Sequence, residues 1–411
     1  MNISPNFSPP LKLMQPYFLL SGFFYMLSMI WIFFLDFNLD LKDFILIGWV
    51  HLFMLGFIMM AIFASMAQLG VIVVETNHYY VDIFKYVWVF LTSGLMLMLI
   101  GFYIDTSYLI YGGVLVLIAM CIYAIEFLLT LKTARRKTSI TNAMKMSNFF
   151  LLLGILTGLV MAFSFNGYIE INPHTLLNTH TFGLVVGFVI MLIMGISIIL
   201  IPMFGFSKRL SDNEFKNSFI TLSIGVSVMM ISPIFLTNIL QNIAYIITIC
   251  AVLLYFYQLY KMHKSRKKVV HDIWAISMYV SFTSFIISFV SLVSYLFLDN
   301  EIILRFGLWL MLIGFFSFII IGNFYKVIPF LIWFQIYSPL IEEQAVPMLH
   351  ELLPKRIVFL QWFYSTAGLL LSSVAILIQN TQLFYGGITM LSMGSVLFFL
   401  IILKIIKTHI K

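Results

Sequence analysis

Apolar runs of about twenty residues, each able to cross the ~30 Å hydrocarbon of a bilayer as a helix, recur along the whole chain. They lie near 16–36, 44–74, 83–104, 107–131, 146–166, 176–206, 215–236, 239–260, 273–298, 303–337, 357–378 and 382–403, twelve in all. With 62% apolar and 9% charged residues over 411 positions, and a mean hydropathy of +1.06, the chain has too little polar surface for a water-soluble domain. Backbone in lipid must satisfy its own hydrogen bonds, and runs of this length do so as helices. The expected fold class is therefore all-α, a polytopic membrane protein of twelve transmembrane helices forming a single integral membrane domain over 1–411. The second, sixth and tenth runs are long enough to tilt or to continue past the bilayer as helix.

The basic residues orient these spans. With a cytoplasmic N-terminus, 21 of the 23 Lys and Arg fall on the cytoplasmic side, in runs such as "KTARRK" (132–137), "SKR" (207–209) and "KMHKSRKK" (261–268), leaving only Lys42 and Arg305 outside. The positive-inside rule then places both termini in the cytoplasm. It also accounts for the net charge of +7 as topology, so no nucleic-acid partner is expected. The opening "MNISPNFSPPLK" lacks a basic n-region and a small-residue cleavage site, and no cleavable signal peptide is expected. The longest hydrophilic segment, 338–356, is too short for a soluble domain, so any chemistry belongs inside the bundle. Cys121 and Cys250 both lie in apolar runs and are expected to be small buried hydrophobes, which excludes a disulfide framework and a thiolate metal site. Phosphate-binding glycine loops, a zinc-protease His-Glu-x-x-His and a Cys-x-x-Cys are all absent.

Two histidines interrupt the apolar pattern. His51 in "GWVHLFMLGF" and His180 in "NTHTFGLVVGF" both enter from the outer side, about 6 to 10 Å below the hydrocarbon edge at 1.5 Å per residue. Ionisable groups in spans face the bundle interior or a cavity, because lipid exposure is costly, and neutral imidazole is the commonest metal ligand near neutral pH. By the 3.6-residue period His51 shares a face with Met54, Leu55, Ile58 and Ile62, and His180 with Gly183, Leu184 and Gly187. Glycines at 183 and 187 would admit either a flat macrocycle or a close neighbouring helix. Two imidazoles at one depth suit a haem between them, whereas copper wants a third ligand, for which Met54 and His174 are the candidates. The alternatives are helix–helix hydrogen bonding and a proton or substrate path. The remaining histidines, His78, His263, His271, His350 and His409, fall at cytoplasmic ends or loops, where solvated or interfacial roles are expected.

Span two, span six through "IPMF", and "YKVIPFLIWF" (325–334) resemble the membrane proteins related to haem–copper oxidase subunit I. The twelve spans and the His-x4-Gly-Phe of 51–57 are also similar to the NnrS family, associated with haem, copper and nitric oxide metabolism. The resemblance implies that His51 corresponds to the span-two ligand of a low-spin haem. It implies that His180 corresponds to a span-six histidine that helps to hold copper. It further implies haem b, with copper as the alternative, a role in respiration or nitric oxide metabolism, respiratory-complex subunits as partners beside the lipid bilayer, and residence in the inner (cytoplasmic) membrane. The pattern breaks elsewhere, because span seven and the outer half of span ten, "LRFGLWLMLIGFF", carry no histidine. Without those ligands a binuclear centre is incomplete, and terminal oxidase activity is not expected. A transporter or permease, and a scaffold or assembly partner of a respiratory complex, are the competing functions.

Three further polar residues lie near the cytoplasmic ends of spans. Lys326 precedes Pro329, which frees a helical carbonyl, so Lys326 is expected to satisfy backbone or snorkel. A proton path through Lys326, Glu126 and Glu75 is the functional alternative. Pro202 and Pro233 are expected to kink spans six and seven.

Overall fold

The computed structural model describes residues 9–135, 137–235 and 238–410. The first eight residues of the opening segment, Arg136 of "KTARRK", Leu236 at the end of the seventh run, Thr237 and Lys411 lie outside the described residues. Twelve helices are long and apolar enough to cross a membrane, and no strand occurs among the described residues. The helices are α1 Leu11–Phe34, α2 Phe44–Val74, α3 Val81–Tyr103, α4 Tyr108–Lys132, α5 Ser139–Phe165 and α6 Pro173–Gly205, followed by α7 Asp212–Phe235, α8 Asn238–Lys264, α9 Ile273–Leu298, α10 Glu301–Leu340, α11 Lys355–Leu377 and α12 Thr381–His409. The protein is a polytopic helical membrane protein, and every expected span is present to within a few residues at most ends.

Helix starts follow capping chemistry. The free N–H groups of a first turn need acceptors, and Asp43 supplies one to Ile45 at 2.8 Å, Asn172 to His174 at 3.0 Å and Asp272 to Ala275 at 2.9 Å. In α5, Thr138 and Thr141 satisfy each other's backbone as a capping box. Four prolines lie inside helices beyond a first turn, at 16, 202, 233 and 329, while Pro173 opens α6 and Pro339 lies in the last turn of α10.

The second, sixth and tenth helices differ from the other nine. Their most apolar windows are 78%, 72% and 61% buried, against at most 50% elsewhere. Each also carries π-helical turns, at Leu52–Met59 and Met66–Gly70 in α2, Phe182–Ile190 in α6, and Leu310–Phe316 and Trp333–Tyr337 in α10. A Gly-Phe pair falls inside the first π segment of each helix, Gly56-Phe57, Gly187-Phe188 and Gly314-Phe315. Sequence comparison pairs only the His51 and His180 spans; the tenth joins them through backbone conformation.

The described residues pack as two compact units, one comprising Met66–Val270 and the other Pro9–Ser65 with residues 271–410. The division falls within α2, at the start of its second π turn. In the unit of α9–α12, serines on α9 reach across to α10 carbonyls, Ser281 to Phe315 at 2.9 Å and Ser288 to Gly307 at 2.7 Å. Small hydroxyl residues permit close helix approach where lipid supplies no hydrophobic drive between helices. Trp49 stacks on Trp309 with centroids 6.4 Å apart, and Trp309 donates to Ser372.

The α11–α12 contact gives a sharp test of that packing. A Cβ on Gly387 would lie 2.6 Å from the Ser372 backbone nitrogen, whereas one on Gly386 meets nothing within 4 Å. Gly387→Ala is expected to lower stability in detergent by about 1–3 kcal/mol, and Gly386→Ala to leave the thermal midpoint unchanged or slightly raised. Equal midpoints for the two variants would contradict the backbone-to-backbone approach.

One smaller expectation is corrected. Cys250 is exposed on α8 and Cys121 half-buried, because both lie on helix faces turned partly outward rather than into a core. Glu75 ends α2 in the left-handed conformation, φ 53°, and so reverses the chain toward His78.

Candidate functional site

His51 and His180 belong to different units, and each is described in its own. Both stand seven residues into their helices, counted from Phe44 and from Pro173. A π-helical segment begins immediately after His51 and two residues after His180. Such segments are rare and concentrate at functional positions.

The His51 Nδ1–H donates to the Ile47 carbonyl at 2.8 Å, one turn back on its own helix. The His180 Nδ1–H donates to the Gly154 carbonyl of α5, also at 2.8 Å. A carbonyl can only accept, so each bond places the proton on Nδ1 and the lone pair on Nε2. This second bond is how metal-binding imidazoles are commonly oriented and made more basic. The His180 ring rests on Gly158, where a Cβ would come within 2.5 Å of Cε1.

The glycines flanking His180 do not form a slot for a macrocycle. A Cβ on Gly183 would strike the Met230 methyl of α7, and one on Gly187 would meet Val226 of α7 and Phe150 of α5, both within 3 Å. Of the two openings considered from sequence, the close neighbouring helix is the one present. The expected stripe on α2 is also altered: Ile58 is buried, while Met54 and Leu55 are half-buried. A π ladder runs i→i+5, so residues 52–59 depart from the 3.6-residue face.

The proposed third ligands fare differently. Met54 lies within the π segment that follows His51. His174 is exposed, its ring edge-on to Phe165. Six residues separate it from His180 on one helix, about 9 Å along the axis, so these two cannot close on one ion. Among the described residues no group of three or more His, Cys, Asp and Glu side chains is placed to hold a metal.

The other sequence candidates acquire partners that the sequence did not indicate. Lys326 pairs with Asp272 at 2.5 Å, with Nζ 5.9 Å from the centroid of Trp274. Asp272 is also the N-cap of α9. This partly exposed pair anchors α10 to the start of α9. Glu126 meets His78, whose Nδ1 lies 2.9 Å from Oε1, and the two side chains are 2% and 1% exposed. The solvated role expected for His78 is thereby overturned. The reversal at Glu75 folds the α2–α3 connection back so that His78 meets Glu126 of α4 and its Nε2–H donates to the Ala67 carbonyl of α2 at 2.8 Å. Proximity to the basic connections gave no signal of this burial, since His78 and Glu126 are 48 residues apart.

No protein-family model matches the chain, and no curated protein matches it in sequence. The fold and these side chains define the class, a polytopic helical membrane protein with half-buried imidazoles at His51 and His180 and a buried one at His78.

Proposed function

We propose that the protein is a membrane-embedded, non-oxidase haem protein in which His51 and His180, each within its own unit, serve as ligands through Nε2. The reading is supported by one shared feature above all. Each imidazole is held by an Nδ1–H bond to a backbone carbonyl, at the same helical depth, next to a π-helical segment. Haem is favoured over copper because an iron–porphyrin centre needs only one or two protein ligands, whereas copper wants a third, and no group of three His, Cys, Asp and Glu side chains is placed to hold a metal among the described residues. A b-type group is favoured because the two cysteines, 121 and 250, form no Cys-x-x-Cys-His attachment motif.

When bound, the group would supply redox or gas-ligand chemistry. Ile47 and Gly154 hold the tautomers, and Gly158 leaves room for the His180 ring. With the resemblance of spans two, six and ten, this reading places the protein in respiratory or nitric oxide-related metabolism at the inner membrane, with respiratory subunits as its partners.

Absorption spectroscopy with metal analysis tests the proposal, on protein produced with haem and copper supplied. A Soret band is expected, altered in both His51→Ala and His180→Ala, with iron near stoichiometric. A colourless, metal-free wild type would overturn it in favour of a permease or scaffold. Copper without haem would leave the ligands but change the cofactor.

A further inference from the structure

Glu126 is the one Asp, Glu, Lys or Arg side chain that is buried among the described residues. Burying a carboxylate costs several kcal/mol unless its charge is met, so a chain that keeps one there needs a reason. Its surroundings are defined atom by atom. Oε1 faces His78 Nδ1 and accepts from the Thr130 hydroxyl at 2.8 Å, while Oε2 is buried without a hydrogen-bond partner among the described residues. Phe84 closes edge-on against the imidazole at 5.2 Å. The Tyr123 and Phe127 rings stack with each other on either side of Glu126 in sequence, both fully buried.

The hydrogen bonds leave one proton position undecided. The Ala67 carbonyl can only accept, so Nε2 is protonated in every state of the pair. The contact between Nδ1 and Oε1 then has two forms, imidazolium donating to carboxylate or carboxylic acid donating to neutral imidazole. Both hold the same single proton and both have no net charge. A low-dielectric site penalises the separated charges of the first form, which brings the two closer in energy than in water.

We propose that His78 and Glu126 form a single-proton site, in which one proton shifts between Nδ1 and Oε1 and exchanges with water at the end of the unit that carries the basic connections. The shift breaks one N–H bond and forms one O–H bond with no change in electron count, and release passes the proton to water, leaving neutral His78 beside the Glu126 carboxylate with one net negative charge. Its ligand is the proton itself, and its role is to load or release that proton for transport or for chemistry within the membrane. The charged groups on the surrounding elements are Glu75 after α2, Asp82 and Lys85 at the start of α3, Lys132, Arg135 and Lys137 at the end of α4 and beyond, and Lys145 on α5, and none of them is buried. Asp82 and Lys85 are paired with each other, and both are more than half exposed. Tyr123, three residues before Glu126, and Gln68, next to Ala67, are both buried. The inference does not depend on cofactor binding.

Infrared difference spectroscopy on the full chain in lipid nanodiscs, stepped from acid to alkaline buffer, tests it. The expected result is a carbonyl stretch from a water-shielded carboxylic acid, shifted in deuterium oxide, that changes together with the imidazole ring modes. Glu126→Gln should abolish that band, and His78→Gln should abolish the joint change. Imidazolium and carboxylate signals that stay constant across the range in folded wild type would overturn the proposal and leave a fixed ion pair. A carboxylic acid band that survives Glu126→Gln would overturn it as well, and the wild-type measurement stands even where a variant folds poorly.

Discussion

His78→Ala is expected to destabilise the protein by about 3–5 kcal/mol, the range typical when one partner is removed from a buried ion pair. The magnitude follows from burial: the two side chains are 1% and 2% exposed, so water cannot replace the lost imidazole. Glu126 would retain only the Thr130 hydroxyl, and the Ala67 carbonyl would lose the Nε2–H. Replacing both partners, as in His78→Leu with Glu126→Met, should recover most of the loss, because an apolar pair of similar volume leaves no stranded charge. Thermal unfolding in one detergent gives the comparison. A single variant as stable as the wild type would show that the pair is wetter than its geometry indicates. By contrast, removing Lys326 from its pair with Asp272, where the side chains are 28% and 36% exposed, should cost only about 0.2–1 kcal/mol.

The second large effect is expected at Gly158→Val. A Cβ there would lie 2.5 Å from Cε1 and 2.7 Å from Nδ1 of His180, so the ring must swing away and release the Gly154 carbonyl. Overpacking of this kind costs about 1–3 kcal/mol, and the orphaned carbonyl adds about 1–3 kcal/mol more. Under the proposed function the spectrum should change as it does in His180→Ala, although the histidine is still present. Gly195→Ala is the control, on α6 with His180, because its nearest neighbour would be 3.7 Å away, an ordinary contact. Unfolding midpoints and absorption spectra of the two variants separate the outcomes. If Gly158→Val matched Gly195→Ala in both, the ring would not be seated on Gly158.

These two sites show what could be read along the chain and what could not. The position of His51 seven residues into its helix was legible, whereas His180, four residues past the start expected at 176, stands seven residues in because α6 begins at Pro173. The Ile47 acceptor is also local, four residues back on the same turn. The Gly154 acceptor is 26 residues away on α5 and left no trace in the His180 span itself. Likewise the glycines at 183 and 187 announced a place without side chains, but Met230, Val226 and Phe150 occupy it. A glycine records that something approaches, and only the partner helix reveals what.

The amino-acid sequence by itself determined the twelve helices and their class, because hydrocarbon imposes one requirement on every apolar run, that its backbone bonds be satisfied within it. The sidedness expected from Lys and Arg rests on the same kind of local reasoning. Tertiary structure alone decided which polar groups meet. His78 was expected in a solvated or interfacial role from its position beyond α2, yet the left-handed turn at Glu75 carries its side chain back against Glu126 on α4. It also decided where α2, α6 and α10 depart from α-helical winding, since an i→i+5 turn has no compositional signature that the 3.6-residue period can detect. Span formation follows from the chemistry of single segments, whereas the pairing of buried polar groups follows from which segments pack together.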